Sequence, residues 1–153
     1  MERHIVDSIA MGVTAQRELG RELAGSALDV GSGGGLPGIP LAIAFAGVHF
    51  TLLDRSGRRV RLLRRAARVL ELEVDVLHER VEDVPGPYDI VTSRASLPPL
   101  ELLPHLRRLV APEGISVVAG STADRLQVEG YRVEEFYSEI LGIRRWMLIM
   151  RQS

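Results

Sequence analysis

The stretch Leu28-Asp29-Val30-Gly31-Ser32-Gly33-Gly34-Gly35-Leu36-Pro37-Gly38 limits what this chain can become more than any other part of it. Ala27-Leu28-Asp29-Val30 reads as a short buried strand, and five glycines follow within eight residues. Glycine loses more backbone freedom on folding than any other residue. A run of them is therefore costly unless the backbone must turn with positive φ or approach a ligand closely. Leu36 to Ala46 then reads as a helix, with Pro37 and Pro40 in its first turn, where a missing N–H does least harm. Strand, glycine turn and helix in this order point the helix N-terminus at a ligand, with free N–H groups and a partial positive charge.

Short apolar runs and helical patterns alternate along the rest of the chain, as in an α/β fold with a mainly parallel sheet. His49 to Leu53 reads as a second strand ending at Asp54, Arg58 to Leu72 as a helix, and Val74 to Leu77 as a third strand. Pro85-Gly86-Pro87 marks a turn before a fourth strand, Tyr88 to Thr92. Leu100 to Leu109 is a helix closed by Ala111-Pro112-Glu113-Gly114, and Ile115 to Ala119 is a fifth strand. The tail departs from this rhythm. Tyr131 to Tyr137 and Trp146 to Met150 have no clear helix between them, and the short link containing Gly142 predicts an antiparallel hairpin. The first 25 residues look helical, and with 153 residues and no linker or repeat one domain over 1–153 is expected.

Two carboxylates stand where a nucleoside ligand needs them. Asp29 sits at the end of the first strand, where it can pair, directly or through water, with an ammonium. Asp54 ends the second strand 25 residues later, where a carboxylate can accept both hydroxyls of a ribose. Arg80-Val81-Glu82-Asp83, after the third strand, can cover a base with an apolar side chain and bond it through main chain or carboxylate. Gly33, Gly35 and Gly38 also satisfy the dinucleotide pattern G-x-G-x-x-G, so the glycines alone admit NAD as well as S-adenosylmethionine. Asp29, Asp54 and the terminal hairpin together favour the methyl donor.

The formal net charge is -1, so any affinity for nucleic acid must come from a local patch. All 19 basic residues are arginine, a bias that genomic base composition explains more readily than function does. On the helix from Arg58, successive residues advance by about 100°. Arg58, Arg61, Arg64, Arg65 and Arg68 then share one stripe, opposite Val60, Leu63, Ala67 and Leu70. Such a stripe can follow RNA phosphates, and it is also what the solvated side of any amphipathic helix looks like. There is no cysteine, and His4, His49, His78 and His105 lack metal-ligand spacing, so no metal is expected. No run reaches the roughly 20 apolar residues of a membrane span, and no signal-peptide pattern opens the chain. A cytoplasmic protein without membrane partners is the expectation.

Asp29-Val30-Gly31-Ser32-Gly33-Gly34-Gly35-Leu36-Pro37-Gly38-Ile39-Pro40-Leu41 resembles the signature of the RsmG/GidB family, the guanine-N7 methyltransferases of 16S ribosomal RNA. Phe50 to Asp54, the basic run Arg58 to Arg64, Thr92-Ser93-Arg94-Ala95 and Glu2 to Ser8 continue the likeness in the family's order. The resemblance implies a Rossmann-like, S-adenosylmethionine-dependent fold with a mainly parallel seven-stranded sheet and a C-terminal antiparallel hairpin. It places cofactor contacts on Gly31, Leu36, Asp54, Val81, Glu82 and Arg94, beside Asp29, Gly33 and Gly35 from the turn itself. Its implied partner is 16S ribosomal RNA or a precursor of the small ribosomal subunit; self-association is left open, with a monomer possible. Arg94, at the end of the fourth strand, is the expected active-site residue, its fork suited to the cofactor carboxylate or the guanine O6 edge.

The chain departs from the family in its short N-terminal segment and in Ala119-Gly120, where a lysine commonly precedes the glycine. Basic residues near the last strand are limited to Arg144, Arg145 and Arg151. Two other readings therefore stand beside the methyltransferase: an NAD-binding oxidoreductase, and a non-catalytic RNA-binding remnant of the family.

Overall fold

The computed structural model describes residues 2–94, 99–120, 129–138 and 142–153. A long helix α1 (Glu2–Leu19) precedes β1 (Gly25–Val30), α2 (Gly38–Ala44), β2 (Val48–Asp54), α3 (Gly57–Val69) and β3 (Asp75–His78). There follow β4 (Tyr88–Arg94), α4 (Pro99–Leu109), β5 (Val110–Gly120), β6 (Arg132–Ser138) and β7 (Ile143–Arg151). The strands form one seven-stranded sheet in the order β3-β2-β1-β4-β5-β7-β6. The first five strands are parallel, and β7 runs antiparallel between β5 and β6. This is the expected sheet with its terminal hairpin. It differs from the dinucleotide-binding order 3-2-1-4-5-6 by that inserted antiparallel strand.

Strand alternation sorts the core into two layers. Ala27, Phe50, Leu52, Ile90, Val117 and Met147 pack under α1, α2 and α3, through Met11, Ala15, Leu41 and Leu63. Leu28, Val30, Leu53, Val91, Val118 and Leu148 face the other way, onto Leu102, Leu106 and Leu109 of α4 and onto Val81 and Val84. Asp29 lies between Leu28 and Val30, so it must point toward the α1 and α2 side.

Several boundaries differ from the sequence reading. The N-terminal helix stops at Leu19 because Gly20 takes φ +65 and its N–H returns to the Gln16 carbonyl. The helix expected over Leu36 to Ala46 is only Gly38–Ala44, since Leu36 and Pro37 belong to the preceding turn. The helix expected over Arg58 to Leu72 ends at Val69, where Leu70 caps it and Glu71 adopts φ 52. The strand expected from Ile115 starts at Val110. Val110 pairs with Tyr88 and Ile115 with Ile90, so Ala111-Pro112-Glu113-Gly114 bulge out of the ladder instead of ending a helix. Ala95 and residues 139–141 of the hairpin link lie outside the described residues.

The bulge depends on Gly114, where a Cβ would lie 2.8 Å from the carbonyl oxygens of both Ala111 and Asp89. Both obstacles are backbone. Gly114→Ala should lower the unfolding free energy by about 1–3 kcal/mol, read as a lower urea midpoint at unchanged slope. An unaltered midpoint would contradict this packing.

Candidate functional site

Strand order reverses direction between β1 and β4, and in open parallel sheets the crevice for a ligand opens at the carboxyl ends of the strands at that point. A cavity of about 530 Å³ lies there, of a size ordinary for small-molecule sites. Its walls are Val30 to Gly34 and Leu36 from the turn, Leu53 to Arg55 after β2, Arg59 of α3, Glu79 to Glu82 after β3, and Arg94. Seven of the nine predicted contacts, Gly31, Gly33, Leu36, Asp54, Val81, Glu82 and Arg94, therefore line one hollow.

Asp29 and Gly35 do not line it. Asp29 is fully buried beneath the turn. Its Oδ2 accepts from Ser32 Oγ at 2.7 Å and from the Gly38 N–H at 3.1 Å, and its Oδ1 accepts from Thr92 Oγ1 at 3.0 Å. One carboxylate thus ties β1 to the glycine turn, to the start of α2 and to β4. Burial pushes the Asp29 carboxyl up, to about 6, against the pull of these three hydrogen bonds and of the Arg94 charge. The structure gives this group the turn to hold. Gly35 serves the same turn, with φ 93 and no room for a Cβ beside Ile39.

The helix start is also not free for a ligand. Gly38 gives its N–H to Asp29, Ile39 to the Gly35 carbonyl and Leu41 to the Pro37 carbonyl, while Pro40 has none. Within the turn, Gly31 and Ser32 donate to the Leu53 carbonyl, Gly35 and Leu36 to the Ser32 carbonyl, and Gly33 to Asp54. That corrects the expectation of free N–H groups at the helix start. Among the described residues of this corner, the Gly34 N–H is left without an acceptor.

Asp54 is nearly as buried, yet it opens on the cavity. Its Oδ2 accepts the Gly33 N–H at 2.9 Å and its Oδ1 the Ser56 N–H at 2.8 Å. A carboxylate offers about four lone-pair directions, so two remain for a ligand. Arg59 Nη1 stands 3.8 Å away. Glu82 is held below the usual carboxylate range by its own backbone N–H and by Arg80, 3.1 Å away. Arg94 is half-buried, with Nη1 3.1 Å from His4 Nδ1. Burial lowers its pKa and the Asp7 and Asp29 charges oppose this, so the guanidinium keeps its charge.

Arg55, Arg59 and Arg80 complete the rim; Arg80 belongs to the segment expected to cover a base, whereas Arg55 and Arg59 were not picked out as contacts from the sequence. Arg59 was findable, because Ser56 caps α3 through the Arg59 N–H and so sets Arg59 in the first turn beside Asp54. The predicted stripe of Arg58, Arg61, Arg64, Arg65 and Arg68 is exposed along α3, while Val60, Leu63 and Ala67 are buried. Leu70, expected among the core residues, is 48% exposed, because it lies past the helix end.

The chain's residues 1–139 match a family model described as GidB, rRNA small subunit methyltransferase G. The chain belongs to the GidB family. A ribosomal RNA small subunit methyltransferase G from Shigella flexneri is 48% identical over 96 residues, covering 61% of this chain and 43% of the relative. One from Salmonella arizonae is 42% identical over 115 residues, covering 73% and 52%. The chain thus spans about half the length of the curated GidB relatives it matches. In fold it is similar to magnesium protoporphyrin IX methyltransferase from Synechocystis, solved with bound SAM. That match has TM-score 0.72 and 18% identity over 98% of this chain and 80% of the other. It is also similar to precorrin-6y C5,15-methyltransferase from Geobacter metallireducens, at TM-score 0.68 and 18% identity over 93% and 87%. This GidB member therefore has the fold of S-adenosylmethionine-dependent methyltransferases.

The raised pKa of Asp29 has a measurable consequence. Between its unfolded pKa of about 3.9 and its folded value, the folded chain keeps a proton that the unfolded chain has released. The contribution of Asp29 to stability therefore falls as pH rises across that window and is level above it. Asp29→Asn removes the titration while keeping one carbonyl oxygen for Ser32 and Gly38. The stability of the wild type relative to this variant, from urea unfolding, should fall by about 3 kcal/mol between pH ~4 and pH ~7. A difference constant with pH would show that the carboxylate is not buried as described.

Proposed function

We propose that this chain binds S-adenosylmethionine in the cavity at the carboxyl ends of β1, β2 and β4 and transfers its methyl group to N7 of a guanine in 16S ribosomal RNA. The observation that carries the choice of cofactor is the Asp29 carboxylate bonded to the first N–H of α2. A dinucleotide sets its pyrophosphate on that helix start and needs its N–H groups free. Here the N–H groups are satisfied internally and a carboxylate lies beneath them, which disfavours phosphate. A ligand with a ribose and no phosphate suits the same hollow, with Asp54 for the hydroxyls and Gly31 to Leu36 for close main-chain contact. Membership of the GidB family supports methyl transfer to ribosomal RNA, and guanine N7 follows from the likeness of the Asp29–Leu41 signature.

The chemistry asks little of the protein in proton transfer. When bound, S-adenosylmethionine supplies a methyl on a sulfonium, open to attack by a nucleophile in line with the leaving sulfur. N7 of neutral guanine has a lone pair and no proton, so no general base is required. The residues' work is alignment and exclusion of water, within near-attack distance. Val81, buried beside the cavity, offers an apolar surface to the adenine, with Glu82 next to it. Arg94, which also lines the cavity, presents a charged fork to the cofactor carboxylate or to guanine O6. Arg55 and Arg59 at the rim lead onto the exposed arginines of α3, Arg58, Arg61, Arg64, Arg65 and Arg68. That basic path suits the phosphates of an RNA, whether free or within a small-subunit precursor, in the cytoplasm.

Calorimetry with S-adenosylhomocysteine and with NAD separates the two cofactors. Binding of the first and not the second is expected, with a loss of at least about tenfold in Asp54→Ala, which removes two charge-assisted acceptors. Gly34→Val adds a check, since Gly34 lines the cavity and a Cβ there meets nothing within 4 Å. It should weaken binding while the thermal midpoint holds. Labelled methyl should then pass to undermethylated 30S particles or their RNA. Binding of NAD alone would remove the methyltransferase, and cofactor binding with no transfer to any such RNA would leave the non-catalytic reading.

A further inference from the structure

The segment between β3 and β4, residues 79–87, walls the cavity through Glu79 to Glu82, yet it contains no helix or strand. Among the described residues a single backbone bond closes it, from the Asp83 N–H to the Arg80 carbonyl at 3.0 Å. Val81 and Val84 are buried on the α4 side of the sheet, with Leu102, Leu106 and Leu109. Burying these side chains draws the neighbouring carbonyls out of water, and a carbonyl so placed costs stability unless it meets a donor.

Arg108, in the last turn of α4, supplies both donors. Its Nη1 donates to the Val84 carbonyl at 2.6 Å and its Nη2 to the Val81 carbonyl at 2.8 Å. The rigid fork of one guanidinium thus spans two carbonyls three residues apart, a geometry that the point charge of a lysine does not match. Gly86 comes up against the same helix end, where a Cβ would lie 3.0 Å from the Arg108 carbonyl oxygen and 3.2 Å from Leu109 Cα. Among the described residues, no other hydrogen bond joins residues 79–87 to the rest of the protein. The neighbouring Arg107 turns elsewhere: its Nη2 donates to the Glu129 carbonyl at 2.9 Å, and its guanidinium lies over the Tyr131 ring.

The bond to Val81 also orients a group at the cavity. The Val81–Glu82 peptide is trans, so its C=O and N–H point in opposite directions. With the C=O held by Arg108, the Glu82 N–H is aimed away from α4, on a residue that lines the cavity. A fixed N–H with the Glu82 carboxylate beside it offers a donor and an acceptor to the edge of a base. Adenine presents the complement, a ring nitrogen that accepts next to an amino group that donates. Hypoxanthine has a carbonyl oxygen in place of the amino group. We propose that Arg108 is a positioning residue for base recognition: it holds the Val81–Glu82 peptide at the cavity wall and so makes the pocket select adenine. Arg108 does not itself line the cavity and acts through that peptide. The selection of adenine rests on the function proposed above, whereas the hold on residues 79–87 does not.

The test compares, by calorimetry, S-adenosylhomocysteine with S-inosylhomocysteine, the same molecule carrying hypoxanthine. The wild type should prefer the adenine compound by at least about tenfold, because a site built to bond an amino group rejects an analogue that lacks it. Arg108→Met keeps an apolar stem and removes both donors. It should bind S-adenosylhomocysteine about tenfold more weakly and S-inosylhomocysteine less than about threefold more weakly, so that the preference falls. Arg107→Met, one residue away, should keep both affinities. A wild type with no preference overturns the proposal, as does an Arg108→Met that weakens both ligands alike, or neither. Amide hydrogen exchange of the ligand-free protein reads the hold itself. The Asp83 N–H should exchange about tenfold faster in Arg108→Met and at the wild-type rate in Arg107→Met. An unchanged rate in Arg108→Met overturns the hold. If Arg108→Met does not fold, Arg108→Lys decides, with at least about a threefold loss of the preference expected and a full wild-type preference fatal to the proposal. A wild type that binds neither compound counts against the proposed function and leaves hydrogen exchange to decide the role of Arg108.

Discussion

The site is organised by a carboxylate that never reaches it. Asp29 is fully buried, and burying an ion is unfavourable unless its lone pairs are met by donors. Ser32, Gly38 and Thr92 meet them, and these belong to the turn, to α2 and to β4. The constraint reaches back into the sequence. A Cβ at position 38 would lie 2.7 Å from Asp29 Oδ2 and 2.3 Å from Leu52 Cδ2, so only glycine lets the helix start close enough to be held. The glycine at position 38 and the late start of α2 both follow from satisfying this one group.

Asp29 and Asp54 show how the strand decides the use of a side chain. Asp29 alternates with Leu28 and Val30, which commits it to the helix-covered face beneath the turn. Asp54 stands past the last paired apolar residue of β2, where the backbone leaves the sheet, and it opens on the cavity while holding Gly33 and Ser56. The two are identical in chemistry and opposite in role. Arg94 extends the pattern, since it ends β4 on the face shared with Thr92 and meets both the cavity and α1.

Much of this was legible in the residues. The apolar runs of β1, β2 and β4 and the glycine turn between β1 and α2 announced the parallel sheet, and the helix-free tail announced the hairpin. Asp54 and Arg94 were legible as strand-end polar residues beside that turn. The role of Asp29 was harder to see, because its position at a strand end suggests a ligand contact. The apolar residues on either side of it were the clue, for they share one face and leave Asp29 the other. The start of α2 was misplaced because Pro37 suits a first helical turn in general. Here the bond from Gly38 to Asp29 sets the boundary. The early start of β5 was invisible, since Pro112 and Gly114 read as a turn and only the pairing of Val110 with Tyr88 reveals a bulge. The involvement of α1 in the site needs distances between residues 90 positions apart, which no local pattern supplies.

In the function proposed, Asp29 builds the pocket from below and Asp54 holds the ligand inside it. A crystal structure grown with S-adenosylhomocysteine tests this most directly. The account predicts ribose hydroxyls on Asp54, the amino-acid part along Gly31 to Leu36, and Asp29 still bonded to Ser32, Gly38 and Thr92. Density for the ligand elsewhere, or Asp29 turned out of its place to meet the ligand ammonium, would contradict it.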